Sequence, residues 1–202
     1  MQNQGFDNKK KRSTSGLNKK KIEKIVRQLL TEIGENPNRE GLIDTPRRIA
    51  EMYDELFGGY RMDSELDISF SEESDAIIAK DIQFYSMCEH HMLPFFGKIT
   101  IAYIPAGKVF GLSKLARLVE KYSRRLQIQE RLTKEIANEI MKMDVKGVLI
   151  VAEGEHLCMK MRGVRNGSLI ITMAHRGILQ HKELRENLLS LIYTSKPELH
   201  SM

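Results

Sequence analysis

Apolar residues at Ile22, Ile25, Val26, Leu29, Leu30 and Ile33 recur every three or four positions, the stripe of an amphipathic helix, and Gly34 marks its end. Asp44-Thr45-Pro46 supplies an N-cap followed by Pro at the first helical position, predicting a second helix with Ile49, Met52, Tyr53 and Leu56 on one face. The period then changes. Ile99, Ile101 and Tyr103 alternate with Thr100, Ala102 and Ile104, and a similar segment from Ile77 to Phe84 precedes them, predicting paired strands.

Ser113 is placed to cap a helix carrying Leu115, Leu118, Val119 and Tyr122. A further stripe at Leu132, Ile136, Ile140 and Met143 is expected to end at Gly147. Three short strands are predicted next, over 148–153, 155–162 and 168–174, separated by Gly154 and by a hairpin turn at Arg165-Asn166-Gly167. A last helix runs through Leu184, Leu188, Leu191 and Ile192. Helices, two strands, two helices and an antiparallel meander make an α+β architecture, not a regularly alternating parallel sheet. No internal repeat and no glycine-rich phosphate loop of the Walker or Rossmann kind is present.

Composition narrows the class. The 202 residues are 41% hydrophobic and 29% charged, close to globular averages, and no apolar run reaches the ~18–20 residues of a membrane-spanning helix. The N-terminus lacks the apolar stretch of a secretory signal, so a soluble cytoplasmic protein is expected, with no membrane partner. The net charge of +5 would fit a nucleic-acid binder, but its placement argues otherwise. Residues 1–21 hold seven cations (Lys9, Lys10, Lys11, Arg12, Lys19, Lys20 and Lys21) against Asp7, which leaves the rest of the chain slightly acidic. No aromatic interleaves these lysines as a stacking platform needs, so a solubilising arm over 1–20, disordered by composition, is expected in place of a nucleic-acid partner.

The only two cysteines, Cys88 and Cys158, each stand beside histidine. Cys88-Glu89-His90-His91 has the Cys-x-x-His spacing that lets a thiolate and an imidazole converge on one cation from a short turn. His156-Leu157-Cys158 falls on a predicted strand, where alternate residues share a face. Cys88, His91 and Cys158 therefore form a candidate three-ligand zinc site; the plain alternative is two buried reduced thiols. Closure of the tetrahedron by His156 or His90 would make the metal structural, whereas an open position would let zinc lower the pKa of water to ~7.

Cations that could hold an anion follow the same logic. Gly111-Leu112-Ser113-Lys114 opens a helix, presenting a hydroxyl, an ammonium and free N–H groups at the positive dipole end. Arg117 lies on the same helical face, and Arg162, four residues after Cys158, is expected on that residue's strand face. Any one alone reads as a solvated surface charge; together near a zinc motif they favour an anionic substrate such as a triphosphate. Gln129-Glu130 offers an amide and a carboxylate able to complement a guanine edge.

Three blocks, FYSMCEHHMLPFFGKITIAYIP, VFGLSKLARLVEKYSRRLQIQERLT and EHLCMKMRGV, together resemble GTP cyclohydrolase I over about residues 22–194. The resemblance implies a T-fold with an N-terminal helical extension, so residues 21–60 are expected as a helical region and 61–202 as the catalytic domain. It implies a toroidal homodecamer with active sites at subunit interfaces, and a zinc-dependent conversion of GTP to 7,8-dihydroneopterin triphosphate and formate, the entry to tetrahydrofolate-type pterins. By motif, Cys88, His91 and Cys158 match zinc ligands. His156 matches the residue that moves protons at the base's imidazole nitrogen, and His90 another active-site histidine. Ser113, Lys114, Arg117 and Arg162 match triphosphate contacts, Gln129 and Glu130 guanine contacts, and Arg48 an arginine reaching a neighbouring subunit's phosphates. Met173 and Leu179 in ITMAHRGIL, and Ile170 just before it, depart from the family's Thr/Ser-rich strand.

Those departures support one rival, a purine- or pterin-binding T-fold protein with a structural zinc and impaired turnover. A T-fold oxidoreductase acting on a deazapurine nitrile would need an unliganded nucleophilic cysteine, and both cysteines are claimed by the metal reading. A zinc-ribbon module lacks its paired Cys-x-x-Cys ligands.

Overall fold

The computed structural model describes residues 16–63 and 69–194, so most of the basic arm, residues 1–15, lies outside the described residues. The chain divides into two compact units between Asp54 and Glu55. In the first, α1 (Lys19–Glu32) is capped by Asn18, whose side chain accepts from the Lys21 N–H at 3.0 Å. Lys19 and Lys20 are therefore helical, and Lys19 pairs with Asp54 at 2.9 Å. Val26 and Leu30 are buried, while Ile25, Leu29 and Ile33 from the same stripe stay more than half exposed. Gly34, at φ +89°, ends the helix in a conformation that L side chains rarely adopt. α2 (Thr45–Leu56) begins at Thr45, one residue before the Pro46 start that the capping pattern predicts.

The second unit is built on a five-stranded sheet. Its elements run β1 (Ser69–Ser71), β2 (Ile77–Cys88), β3 (Pro94–Pro105), β4 (Lys108–Phe110), α3 (Leu112–Ser123), β5 (Leu126–Gln127), α4 (Gln129–Ile140), β6 (Val145–His156), α5 (Leu157–Lys160), β7 (Ile170–Gly177) and α6 (Lys182–Thr194). The sheet order is β5-β2-β3-β6-β7, antiparallel except for the short parallel pair β5/β2; β1 and β4 form a separate two-stranded ribbon. The α+β expectation, an antiparallel sheet with packed helices, is met.

Both faces of the central strands are covered, which explains the continuous apolar run of β6. Val148, Ile150 and Ala152 join Ile99, Ile101 and Tyr103 in one core with Leu115, Leu118 and Val119 of α3 and Leu132, Ile136 and Ile140 of α4. Leu149 and Val151 face the other way, packing with Leu188 and Ile192 of α6 and with Leu179.

Several expected boundaries move. The helix through Leu132 ends at Ile140, and Gly147 sits inside β6 opposite Ile104 and Gly177. Gly154 does not separate two strands: β6 runs unbroken through it to His156, and the chain then turns into the four-residue α5. The strand expected over 155–162 is therefore absent. Asn166 does form a turn, its Oδ1 accepting from the Ser168 N–H at 2.8 Å, but within the longer 157–169 connection and not in a two-residue hairpin. Ser113 lies in the first turn of α3, and Gly111 is the N-cap.

Tyr103 is fully buried, and its hydroxyl accepts the Phe110 N–H at 3.0 Å, tying the start of α3 to the far end of β3. Tyr103→Phe leaves that N–H without a partner and is expected to cost about 1–3 kcal/mol. Urea denaturation should show a lower midpoint with an unchanged slope; an unchanged midpoint would remove this bond from the account.

Candidate active site

Three strands and a helix deliver their ends to one place. Ser86 and Met87 of β2 pair with Phe95 and Pro94 of β3, and Phe95 pairs in turn with His156 of β6. β2 thus ends at Cys88 where β3 begins and β6 stops. On the other side, Met87 and Cys88 pair with Leu126 and Gln127, which carry the chain directly into Gln129 and Glu130 at the start of α4. The turn after β2 is closed by the Cys88 N–H donating to the Leu93 carbonyl at 2.9 Å and the Met92 N–H donating to the Cys88 carbonyl at 2.8 Å, with Met92 at φ +52°.

That turn presents His91 toward both cysteines. One ligand atom each from Cys88, His91 and Cys158 lies within 4.8 Å of the other two, and neither cysteine is in a disulfide. Ligand atoms bound tetrahedrally at ~2.0–2.3 Å stand under 4 Å apart, so this donor set fits zinc with little adjustment. Burial pushes the Cys158 thiol up, and hydrogen bonding to and charge on Cys88 add to it. Two thiolates so close need a cation between them. Neither His90 nor His156 belongs to this cluster, so among the described residues it offers three candidate ligands.

His156 and Cys158 do not share a strand face as expected, because β6 ends at His156 and Cys158 is carried by α5. The histidine instead stacks on Phe95, ring centroids 4.7 Å apart and nearly parallel at 6°. Its Nε2 lies 2.9 Å from Gln129 Oε1. Burial pushes the His156 pKa down, opposed by the negative charge of Glu130.

Gln129 was expected to meet a guanine edge, but it is 1% exposed and its amide nitrogen is committed to the Ala152 and Ile170 carbonyls at 3.0 and 2.9 Å and to Thr172 Oγ1 at 3.3 Å. Glu130 is exposed, as a substrate contact needs. Sequence reasoning missed the bidentate pair between Arg131 and Glu89, with N–O distances of 2.5 and 2.9 Å. The Arg131 hydrogen bonds hold the Glu89 carboxyl below its usual range. Only the positions of the two residues beside Glu130 and Cys88 hinted at it.

The anion-binding residues fall in different places. Arg162 follows α5 closely enough for its charge to act on Cys158, though from a turn and not from the expected strand. Ser113 and Lys114 open α3, which is anchored at Tyr103, eight residues along β3 from Phe95 and so roughly 26 Å away. Arg117 lies one turn further on, exposed. Ser113 and Lys114 therefore sit toward the opposite end of β3 from the cysteines, and α3 runs back from there through Arg117 to β5. Arg48, in the first unit, is exposed and donates to Gly41 O at 3.2 Å and Thr45 Oγ1 at 3.1 Å. Of the three departures, Ile170 contributes its carbonyl, Met173 is half exposed and Leu179 is core; Thr172 between them retains its hydroxyl at the site.

A Cys/His/Cys cluster able to hold a metal, with His156 two residues before one of its members and the whole set in an α+β fold, fits a hydrolytic type of enzyme. Comparison makes this specific. The family described as GTP cyclohydrolase I matches residues 22–193, and the chain belongs to it. The GTP cyclohydrolase 1 of Clostridium perfringens (strain 13 / Type A) is 52% identical over 182 residues, covering 87% of this chain and 98% of the relative. That of Hyperthermus butylicus is 52% identical over 178 residues (87% and 92%), and that of Desulforamulus reducens 55% over 182 (87% and 97%). Among solved structures, an apo archaeosine synthase QueF-like protein overlaps 52% of this chain and 97% of its own, at TM-score 0.43 and 16% identity.

Metal content separates ligand from neighbour. His156→Ala is expected to keep close to one zinc per chain, and Cys158→Ser to lose most of it, because the latter removes one of three ligands. Zinc lost from His156→Ala would make that histidine a fourth ligand and close the site.

Proposed function

We propose that this chain converts GTP to 7,8-dihydroneopterin triphosphate and formate, the first step toward tetrahydrofolate-type pterins, in the cytoplasm and with zinc as cofactor. The observation that carries this reading is the open Cys88–His91–Cys158 cluster with His156 beside it, in a chain of this family. Held there, zinc supplies Lewis acidity that makes hydroxide available at neutral pH. His156 receives and returns the proton at N7 as the imidazole ring of guanine opens. Glu130 accepts from guanine N1–H and N2–H, orienting the base, and His90 lies next to the ligand turn. Two waters enter, one opening the ring and one releasing formate; one leaves as the rearranged sugar closes onto the freed amine.

Ser113, Lys114, Arg117 and Arg162 neutralise the triphosphate, with Arg48 as a further contact. Because Ser113 and Lys114 lie far from their own cysteines, we place these phosphates between copies of the chain in a ring-shaped homo-oligomer, a homodecamer by family resemblance. The edge strand β7, with Ile171 and Met173 each about half exposed, supports such an assembly. No described helix is long and apolar enough to cross a membrane. Ile170, Met173 and Leu179 do not favour the impaired-binder reading, since none removes a chemical group from the site.

The test is direct. Zinc-loaded protein incubated with GTP should yield formate and, after oxidation and dephosphorylation, a fluorescent pterin; GTP left unchanged defeats the proposal. Glu130→Gln should weaken GTP binding about 10- to 100-fold, the scale of mispairing a polar edge, while an unchanged affinity would remove Glu130 from the base site. Shared sites make a further prediction. Cys88→Ser and Lys114→Ala should each be inactive alone, and co-assembly of the two should restore a fraction of activity. No recovery in proven mixed oligomers would place the lysine outside the shared site.

A further inference from the structure

Gln129 heads a closed set of hydrogen bonds whose directions can be followed atom by atom. Its Nε2 faces the carbonyls of Ala152 and Ile170, which only accept, so this atom must be the NH2 group. The hydroxyls agree. Thr133 Oγ1 donates to the Gln129 carbonyl at 2.6 Å, and therefore accepts from Thr172 Oγ1 at 2.7 Å; Thr172 Oγ1 in turn accepts from Gln129 Nε2 at 3.3 Å. A flipped amide would set an oxygen against two carbonyl oxygens at a side chain that is 1% exposed.

The amide oxygen is thereby aimed at the His156 ring, 2.9 Å from Nε2. Gly154 is shaped around it, since a Cβ there would lie 2.4 Å from Gln129 Oε1. Phe95, stacked on the imidazole, fixes the ring plane. An amide oxygen can only accept, so Nε2 must carry the hydrogen.

We propose that Gln129 is a positioning residue that holds His156 in the Nε2–H tautomer, leaving Nδ1 as the nitrogen that exchanges the proton with substrate. This rests on His156 as proton carrier and replaces the guanine contact expected for Gln129 with a role through its neighbour. The amide accepts from Nε2 whether the ring is neutral or charged, so the ring keeps its place as Nδ1 gains and loses its proton.

Neutron diffraction from zinc-loaded crystals exchanged into heavy water at mildly alkaline pH reads the tautomer without any turnover. The expected result is a deuteron on His156 Nε2 directed at Gln129 Oε1, with Nδ1 bare. A deuteron on Nδ1 with Nε2 bare overturns the proposal, as does an amide turned with its nitrogen to the ring. Gln129→Met, which keeps the length and removes the acceptor, should retain zinc and lower kcat about 10- to 100-fold with KM for GTP little changed. A raised KM with kcat preserved would make Gln129 a substrate contact and overturn the assignment. Should that variant fail to assemble, the neutron result on the unaltered protein still decides. Unaltered protein that left GTP unchanged would defeat the functional reading alone, because the deuteron reports the tautomer either way.

Discussion

Register in the β2-β3-β6 ladder is the constraint on which the site depends. Each of these strands is 12 residues long, and their pairing puts Cys88, Phe95 and His156 side by side at one end. A slip of one residue in either ladder would turn every following side chain to the opposite face, separating the thiol from the imidazole stack. What resists such a slip is burial on both faces, since Val148, Ile150 and Ala152 serve one core and Leu149 and Val151 the other. Gly97 adds a steric lock, because a Cβ there would sit 1.9 Å from the Glu153 carbonyl oxygen, so the two backbones approach at that point without a side chain between them.

The same geometry sets the cysteine cluster apart from Ser113 and Lys114. α3 leaves the end of β3 marked by Tyr103, and its 12 residues, at ~1.5 Å each, return the chain over roughly 18 Å to the β5 end. For the substrate we propose, that separation between the base end and Ser113 and Lys114 is the reason for placing the phosphates between copies of the chain. Among the described residues β7 is an edge strand of the sheet, with Ile171 and Met173 about half exposed. Glu130 and Arg117 are both exposed.

Legibility followed the range of each interaction. Cys88 and His91 were readable because a three-residue spacing closes within one turn, and Cys158 because it was the only other thiol. Alternation located β2 and β3, and helical periodicity located α3, α4 and α6. Gly154 misled, since glycine punctuates turns more often than it accommodates a buried amide, and here the amide belongs to a residue 25 positions earlier. The strand expected through Cys158 failed for a related reason: nothing local announces that β6 stops at His156, which is set by where β3 begins. The Arg131–Glu89 pair and the Thr133–Thr172 hydroxyls join segments about 40 residues apart, beyond any spacing rule.

These long-range contacts converge on the segment 127–131, and their alternation explains what each residue can do. The Gln127 carbonyl accepts the Glu89 N–H at 3.0 Å, Gln129 reaches His156, and Arg131 grips the Glu89 carboxylate with two nitrogens. Positions 127, 129 and 131 thus bind the first turn of α4 to the ligand loop on one side and to the end of β6 on the other. Glu130, between them, is left pointing outward and close enough for its charge to act on His156. Its backbone is clamped at both neighbours, so little ordering would remain to be done were a ligand to arrive there. The clamp also ties Glu130 to the candidate metal cluster, because displacing Arg131 would loosen Glu89, whose neighbour Cys88 belongs to the Cys88–His91–Cys158 group.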